Sequence, residues 1–308
     1  MSKTALIVNP KSSNGKTEKD LPYIRKYLGS LFDYEIFITE KKKHAITLTQ
    51  ECLKNNFQRI IAIGGDGTFN EVVNGFFENQ KLINENAILG FIPSGTGSDL
   101  IKTLNIPKYY KDAIDIININ HYKKIDIGLV YFSENNQKKY RYFINIADVG
   151  IGGEVVDKVN KKSKVLGGFI SFLISTLQTV VEYENKRVKI IIDDKEEIEQ
   201  KINNIVIGNG KFFGGGMKIL PSANPFDSYF DIVIIGDINK LDFFLNIPKV
   251  YFGKHIYDKN LIFKKAKNIK VFSDEKIKID IDGEQEGFCP AEFTIIPNIL
   301  NVIIPQKF

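Results

Sequence analysis

Cysteine is nearly absent from this chain of 308 residues. Cys52 and Cys289 offer neither a disulfide framework nor zinc-ligand spacing, and a reducing cytosol is the simplest compartment for such a chain. Long apolar runs are missing too. The opening holds only Ala5 to Val8 before Asn9-Pro10, which is too short for a secretory signal. The uncharged stretch from Val165 to Val181 is short for a bilayer and carries Ser171, Ser175, Thr176, Gln178 and Thr179, so it reads as a packed helix. No internal repeat or low-complexity linker divides the chain. The surplus of positive charge is modest, +5, but it is locally concentrated at Lys41 to Lys43, Lys161 to Lys164 and Lys264 to Lys267. Such clusters attract anionic lipid headgroups, whereas the lack of aromatics interleaved with them speaks against nucleic acid. With 43% hydrophobic residues, the chain has material for about two domains.

The richest local signal runs from Arg59 to Gly75. Arg59 to Ile63 is apolar without alternation after its first residue, as expected of a parallel strand covered on both faces. The chain then turns through Gly64, Gly65 and Gly67. Beyond Thr68 the apolar positions Phe69, Val72, Val73, Phe76 and Phe77 follow helical spacing, leaving Asn70, Glu71 and Asn74 to look away from the buried face. Unpaired N–H groups at such a helix start bind phosphate, and Asp66 in the same turn is suited to orienting a cation or a metal-bound water. A second unit follows at once: Ile88 to Ile92 as strand, Pro93 to Gly97 as turn, and Ser98 to Leu104 as helix opening. In open parallel sheets ligands bind beyond the carboxyl ends of strands, so Thr96 and Asp99 become candidates for the same crevice. Asp99 serves equally well as a helix N-cap.

Organisation changes near residue 125. Before it, strands at Ala5 to Val8, Tyr34 to Ile38, Arg59 to Ile63 and Ile88 to Ile92 alternate with helical patterns, which predicts a doubly wound α/β layer. After it, Val188 to Ile192, Ile202 to Ile207, Phe230 to Ile235, Ile269 to Phe272 and Lys276 to Ile281 predict antiparallel sheet, interrupted by the helix near residues 165 to 181. In Lys276 to Asp282 the alternation is strict, with Ile277, Ile279 and Ile281 on one face and Lys278, Asp280 and Asp282 on the other. Asp282-Gly283 then reverses the chain, and by pattern alone Glu284 is an exposed residue after a hairpin turn.

Taken in order, these segments resemble the lipid kinases of the bacterial diacylglycerol kinase type, whose catalytic domain is shared with sphingosine kinases. The resemblance covers nearly the whole chain. It rests on Asn9-Pro10 with Ser13, Gly15 and Lys16, on Thr39 with His44-Ala45, and on Gly64-Gly-Asp-Gly-Thr-Phe-Asn-Glu-Val-Val-Asn-Gly75. It continues through Pro93 to Asp99, Ile125 to Gly128, Tyr142 to Asn145, Asn209-Gly210, Gly214 to Met217, Pro221 to Ala223 and Asp282-Gly-Glu284.

The resemblance implies an α/β nucleotide-binding domain, residues 1–124 with a returning segment 297–308, related to the NAD kinase and phosphofructokinase folds, and a β-rich, sandwich-like acceptor domain, residues 125–296. Leu300 to Ile304 would be the returning strand. It implies ATP as phosphoryl donor, held by Asn9, Thr39, Gly64, Gly65, Asp66, Gly67, Thr68, Asn70, Glu71 and Thr96. It implies Mg²⁺ linked through water to Asp66 and Asp99, and a second, structural Mg²⁺ held by Asn224, Asp227 and Tyr229. Glu284 becomes the general base for a lipid hydroxyl, most simply that of diacylglycerol, and the enzyme a cytoplasmic one touching the inner face of an anionic membrane. Ser98 stands where the family usually has Asn, and Ser228 where it usually has Gly. An exposed strand edge in the β domain would allow a homodimer. The competing readings are an NAD kinase-like nucleotide kinase and a non-catalytic lipid or nucleotide sensor on the same fold.

Overall fold

The computed structural model describes residues 3–29, 31–94, 98–161, 168–258 and 260–306. The chain divides into two compact units, Met1–Ile125 with Asn298–Phe308, and Asp126–Pro297. Val165 to Gly167, Lys162 to Lys164 and Thr96 lie outside the described residues.

The first unit alternates strand and helix: β1 (Thr4–Val8), α1 (Ser12–Leu28), β2 (Glu35–Ile38), α2 (His44–Lys54), β3 (Arg59–Gly64), α3 (Asp66–Gly75), a small hairpin of β4 (Phe77–Glu78) and β5 (Lys81–Leu82), β6 (Ile88–Pro93), α4 (Asp99–Thr103) and α5 (Tyr110–Ile119). β2, β1, β3 and β6 pair in parallel in that order. Asn301 and Val302 add a further parallel pairing on Ile88 and Leu89 of β6. The strands are continuous apolar runs because both faces are covered. Leu6, Val8, Ile61, Ile63 and Ile92 pack with Ile24 and Leu28 of α1 and with Ile114 and Ile117 of α5, while α2 and α3 pack against each other. One expectation fails within α3: Asn70 is fully buried instead of facing away. Its carbonyl and side-chain oxygen accept from the Asn74 amide at 2.9 and 3.2 Å, which satisfies it inside the packed layer.

The second unit is an antiparallel sandwich. Its elements are β7 (Tyr122–Glu134, entering from the first unit), β8 (Gln137–Phe143), β9 (Ile146–Gly150), α6 (Ile151–Lys161), α7 (Gly168–Glu182), β10 (Lys186–Ile192), β11 (Glu196–Ile202), β12 (Asn204–Gly208), β13 (Phe230–Ile235), α8 (Lys240–Tyr251), β14 (Leu261–Ala266), β15 (Asn268–Phe272), β16 (Lys278–Ile281) and β17 (Glu284–Ile303). β14, β13, β12, β9 and β16 form one antiparallel run, and β11, β10 and β15 form another, joined to Ala291–Thr294 of β17. Between them lies one apolar core that includes Phe143, Val149, Ile190, Ile207, Phe230, Val271, Ile279, Ile281 and Phe293. The alternation read in Lys276 to Asp282 places its isoleucines in this core. Its opposite face is not solvent, since Asp280 and Asp282 are buried. No helix among the described residues is long and apolar enough to cross a membrane.

Candidate active site

The first unit gathers polar groups at the carboxyl ends of its parallel strands. Asn9, just after β1, donates its backbone N–H to Ile63 O at 3.0 Å and its side-chain amide to Thr68 Oγ1 at 3.0 Å, tying β1, β3 and α3 together. Gly64 allows α3 to start this close, because a Cβ there would lie 2.6 Å from Thr68 Oγ1. Gly65 is the extended residue before α3, and Gly67 sits in the first turn. Ser94, after β6, donates its backbone N–H to Gly64 O at 2.7 Å and its hydroxyl accepts from Thr17 Oγ1 at 2.8 Å, so the end of β6 is joined to the first glycine turn and to α1. Thr39, after β2, is buried and donates its backbone N–H to Val8 O at 2.9 Å.

Asp66 and Asp99 are brought together. The Asp66 carboxylate accepts from the backbone N–H groups of Asp99 and Leu100, both at 3.3 Å, so it caps α4 from another element. Asp99 is the first residue of α4, and its Oδ1 pairs with Lys102 Nζ at 2.7 Å. Its own carboxylate is not the cap, and Ser98 before it is buried in a left-handed conformation with φ 52°. Glu71 faces α2: its two oxygens accept from Lys43 N at 2.8 Å and Ala45 N at 3.2 Å, which holds the turn that carries Lys41 to Lys43. Asp66 and Asp99, both already hydrogen-bonded, suit contact with the water shell of a small hard ion better than direct ligation.

In the second unit, Ile281 pairs with Glu284 across the two-residue turn Asp282-Gly283, with φ 50° and 87°. Two successive left-handed residues make the turn that matches the twist of a hairpin. Asp282 does more than turn the chain. Its carboxylate accepts from the N–H groups of Ile144, Asn145 and Ile146 at 2.9, 3.0 and 2.9 Å. That anchorage fixes the turn and presents Glu284, which is half-buried.

Behind the turn lies a pair of acids that sequence reading missed. Asp148 of β9 and Asp280 of β16 are cross-strand partners, both buried, and Asp148 Oδ2 and Asp280 Oδ1 meet no donor among the described residues. Burial pushes the Asp148 carboxyl up to about 7, with Asn204, Asp280 and the Gly153 N–H acting the other way. Asp280 is raised well above the ordinary carboxylate range, by burial first and then by Asp148, Asp282 and Glu284. The Asn204 amide, turned to donate, reaches Asp148 Oδ1 at 3.2 Å and Val149 O at 2.9 Å.

Hydrogen bonds and an ion pair hold the loop Asn224 to Tyr229. Asp227 Oδ2 pairs with Lys265 Nζ at 2.5 Å, and Asp227 Oδ1 accepts from Tyr229 N at 3.1 Å. Lys265 also meets Asp231 at 3.3 Å. Ser228 has φ 66° and donates its N–H to Asp126 Oδ2 at 2.7 Å, and Asn224 O accepts from Asp227 N at 3.4 Å. Lys267 Nζ stands 5.0 Å from the Tyr229 ring centre. The ammonium of Lys265 sits on Asp227, the one carboxylate among the residues expected to hold a second Mg²⁺, whose other ligands would be backbone carbonyls. Among the described residues, no group of three or more His, Cys, Asp or Glu side chains is arranged to hold a metal.

Comparison with known proteins matches both units. The diacylglycerol kinase catalytic domain matches residues 3–130, and the YegS C-terminal NAD kinase beta sandwich-like domain matches residues 145–304. The chain is 30% identical over 310 residues to a diacylglycerol kinase of Bacillus subtilis (strain 168), covering 100% of this chain and 98% of that one. It is 29% identical over 302 residues to a diacylglycerol kinase of Staphylococcus carnosus (strain TM300), covering 98% and 94%. A crystal structure from Bacillus anthracis str. Sterne, assigned to the diacylglycerol kinases, superposes with a TM-score of 0.81 at 28% identity over 99% and 98% of the two chains. An NAD kinase from Archaeoglobus fulgidus, solved with ATP, is alike in fold alone, with a TM-score of 0.51 at 11% identity over 99% and 94%.

Proposed function

Because the chain belongs to the diacylglycerol kinase family of lipid kinases, we propose that it transfers the γ-phosphoryl group of ATP to the hydroxyl of a membrane lipid, diacylglycerol first among the acceptors. The observation that carries this reading is the meeting of Asp66 and Asp99 at the starts of α3 and α4, where a glycine turn opens α3. Phosphoryl transfer asks mainly for positioning and charge neutralisation, and such a turn is built for both.

The roles follow from this chemistry. N–H groups at the start of α3 face phosphate oxygens, with Asn9 and Thr68 fixing the turn's shape. Thr39, Glu71 and Thr96 complete the ATP site, Gly64, Gly65 and Gly67 allow close approach, and Asn70, fully buried and bonded to Asn74, supports α3 from within the layer and does not touch ATP. Asp66 and Asp99 are the residues that would hold Mg²⁺ through its water, and the ion when bound would offset the charge of the phosphates. The lipid oxygen attacks the γ-phosphorus while the bond to the β-bridging oxygen breaks, ADP leaves, and the hydroxyl proton passes to the Glu284 carboxylate. A half-buried glutamate on an anchored turn suits that task, since a base must be accessible yet held in place.

The test is transfer of label from γ-³²P-ATP, with Mg²⁺, to diacylglycerol, sphingoid base, phosphatidylglycerol and polyprenol in mixed micelles, with NAD present as a soluble competitor. Label on diacylglycerol is expected. Label on NAD alone would overturn the lipid reading, and ATP binding with no label on any acceptor would leave a sensor in its place.

A further inference from the structure

We propose that Asp280 is a positioning residue for Glu284: joined to Asp148 on one side and to the N–H of Gly283 on the other, it fixes the turn that presents the base from its buried side. The role rests on the reading of Glu284 as base. Strand register places the parts. Asp280 lies two residues before Asp282, and its partners across the sheet are Asp148 on β9 and Gln285 on β17. Gln285 gives its side-chain amide to Gly287 O at 3.1 Å, and Asp280 Oδ1 meets no donor among the described residues. The N–H of Gly283, the second residue of the turn, lies against the Asp280 carboxyl. Asp282 holds the same turn by accepting from Ile144, Asn145 and Ile146. Two carboxyl groups therefore grip one two-residue turn.

The two buried acids are not equivalent. The start of α6 is seated on Asp148, since a Cβ at Gly152 would lie 2.2 Å from Asp148 Oδ2. The Asn204 amide and the Gly153 N–H both favour the charged form of Asp148, as donors at a helix start do. Asp280 instead faces the charges of Asp148, Asp282 and Glu284, with the Gly283 N–H acting the other way. When the pair holds one proton, that proton therefore belongs on Asp280, which donates it to Asp148. It gives the two orphaned oxygens a partner, and it lets Asp280 accept from Gly283 without placing a second charge behind the turn. The other titratable groups nearby do not supply this bridge. Lys278 of β16 is engaged by Glu154 at 2.7 Å and Asp157 at 2.5 Å. The Tyr183 hydroxyl, after α7, is kept protonated by burial first and then by Glu154 and Asp148.

A contact chain thus runs from the Gly153 N–H of α6 through Asp148 and Asp280 to Gly283, one residue before the base. An apolar side chain at 280 would fill the space but leave the Gly283 N–H without its acceptor, and a shift of about 1 Å in a reacting group can cost about 100-fold in rate.

Steady-state kinetics of the whole chain on a soluble short-chain diacylglycerol, with hydrogen exchange of the segment Lys278 to Phe288, tests the role. Asp280→Val should lower kcat about tenfold or more, leave the KM for ATP unchanged and speed exchange at the turn. Asp280→Asn, whose amide can donate to Asp148 while its carbonyl accepts from Gly283, should restore both to near wild-type values. Because Asp280→Val leaves Asp148 a lone buried acid, Asp148→Asn with Asp280→Val serves as the second variant; it carries neither acid and should show the same loss of kcat with a cooperative melt. Turnover and exchange unchanged in the valine variants overturn the proposal, as does an asparagine variant as impaired as the valine one. Faster exchange at the turn, with turnover undiminished in both Asp280→Val and Glu284→Gln, would instead overturn Glu284 as base and leave Asp280 an anchor of the turn alone.

Discussion

Replacing Asp280 by Asn should flatten the dependence of stability on pH. In the folded chain Asp148 and Asp280 are cross-strand partners on β9 and β16, and Asp148 Oδ2 and Asp280 Oδ1 meet no donor among the described residues. The groups around them are Asn204 and the Gly153 N–H, the carboxylates of Asp282 and Glu284, and Lys278, which is taken by Glu154 and Asp157 of α6. Burial holds Asp148 protonated up to about 7, whereas an unfolded aspartate loses its proton near about 4. Between those values the folded chain binds more protons than the unfolded one, so stability falls as pH rises. The slope is about 1.4 kcal/mol per pH unit for each proton retained. This contribution is fully present below about pH 4 and lost by the time the pH passes about 7. An asparagine at 280 donates to Asp148 without titrating, so the variant should lose less stability over that window and exceed the wild type at pH 8. Equilibrium urea unfolding of both proteins at pH 5, 6, 7 and 8 provides the comparison. Parallel curves for wild type and variant would refute a contribution of Asp280 to the pH dependence.

Three further outcomes are expected. Glu284→Gln should lower kcat by about 100-fold or more while leaving the KM for ATP unchanged, because a base acts only in the transfer step; steady-state kinetics on the lipid panel would show it, and retained turnover would remove the assignment. Ser228→Gly should stabilise the chain by about 1 kcal/mol, since φ 66° strains a residue bearing a side chain, and a thermal melt should rise by about 2–4 °C. Chelation of Mg²⁺ should leave the melting temperature of the wild type unchanged, while Lys265→Met, which strips Asp227 and Asp231 of their cation, should lower it; a wild type destabilised by chelation would restore a metal to that loop.

The α/β layer was legible because its strands are uninterrupted apolar runs and its glycines cluster where the chain must turn. The sandwich was legible only in part. β8 escaped notice because Gln137 to Tyr140 is exposed and mostly polar, so no apolar alternation marks its first half. The turn that makes it, Asn135-Asn136 with φ 50° and 60°, has the same left-handed geometry as Asp282-Gly283 but lacks the glycine that drew attention there. Asn70 was misread for a different reason. Helical spacing separates one face from another, but it does not say that α2 covers the second face as well.

What pattern alone could not decide is what each carboxylate faces. Asp66 reaches two N–H groups of another helix, Asp99 a lysine one turn along, Asp282 three N–H groups where β8 passes into β9, and Asp227 an ammonium. Asp148 and Asp280 face each other. Only the Asp99 partner is local enough to be read from spacing, because an acid three residues before a lysine shares a helical face with it. The others depend on strand register and on crossovers that join residues far apart in the chain. Strict alternation in β16 therefore told truly that Asp280 lies opposite the isoleucines, and misled about what lies there: an acid under α6 and beside a second acid does not behave as a surface residue. The same register that buries this pair also anchors Asp282, so the acids that lost solvent and the turn that presents Glu284 follow from one strand pairing.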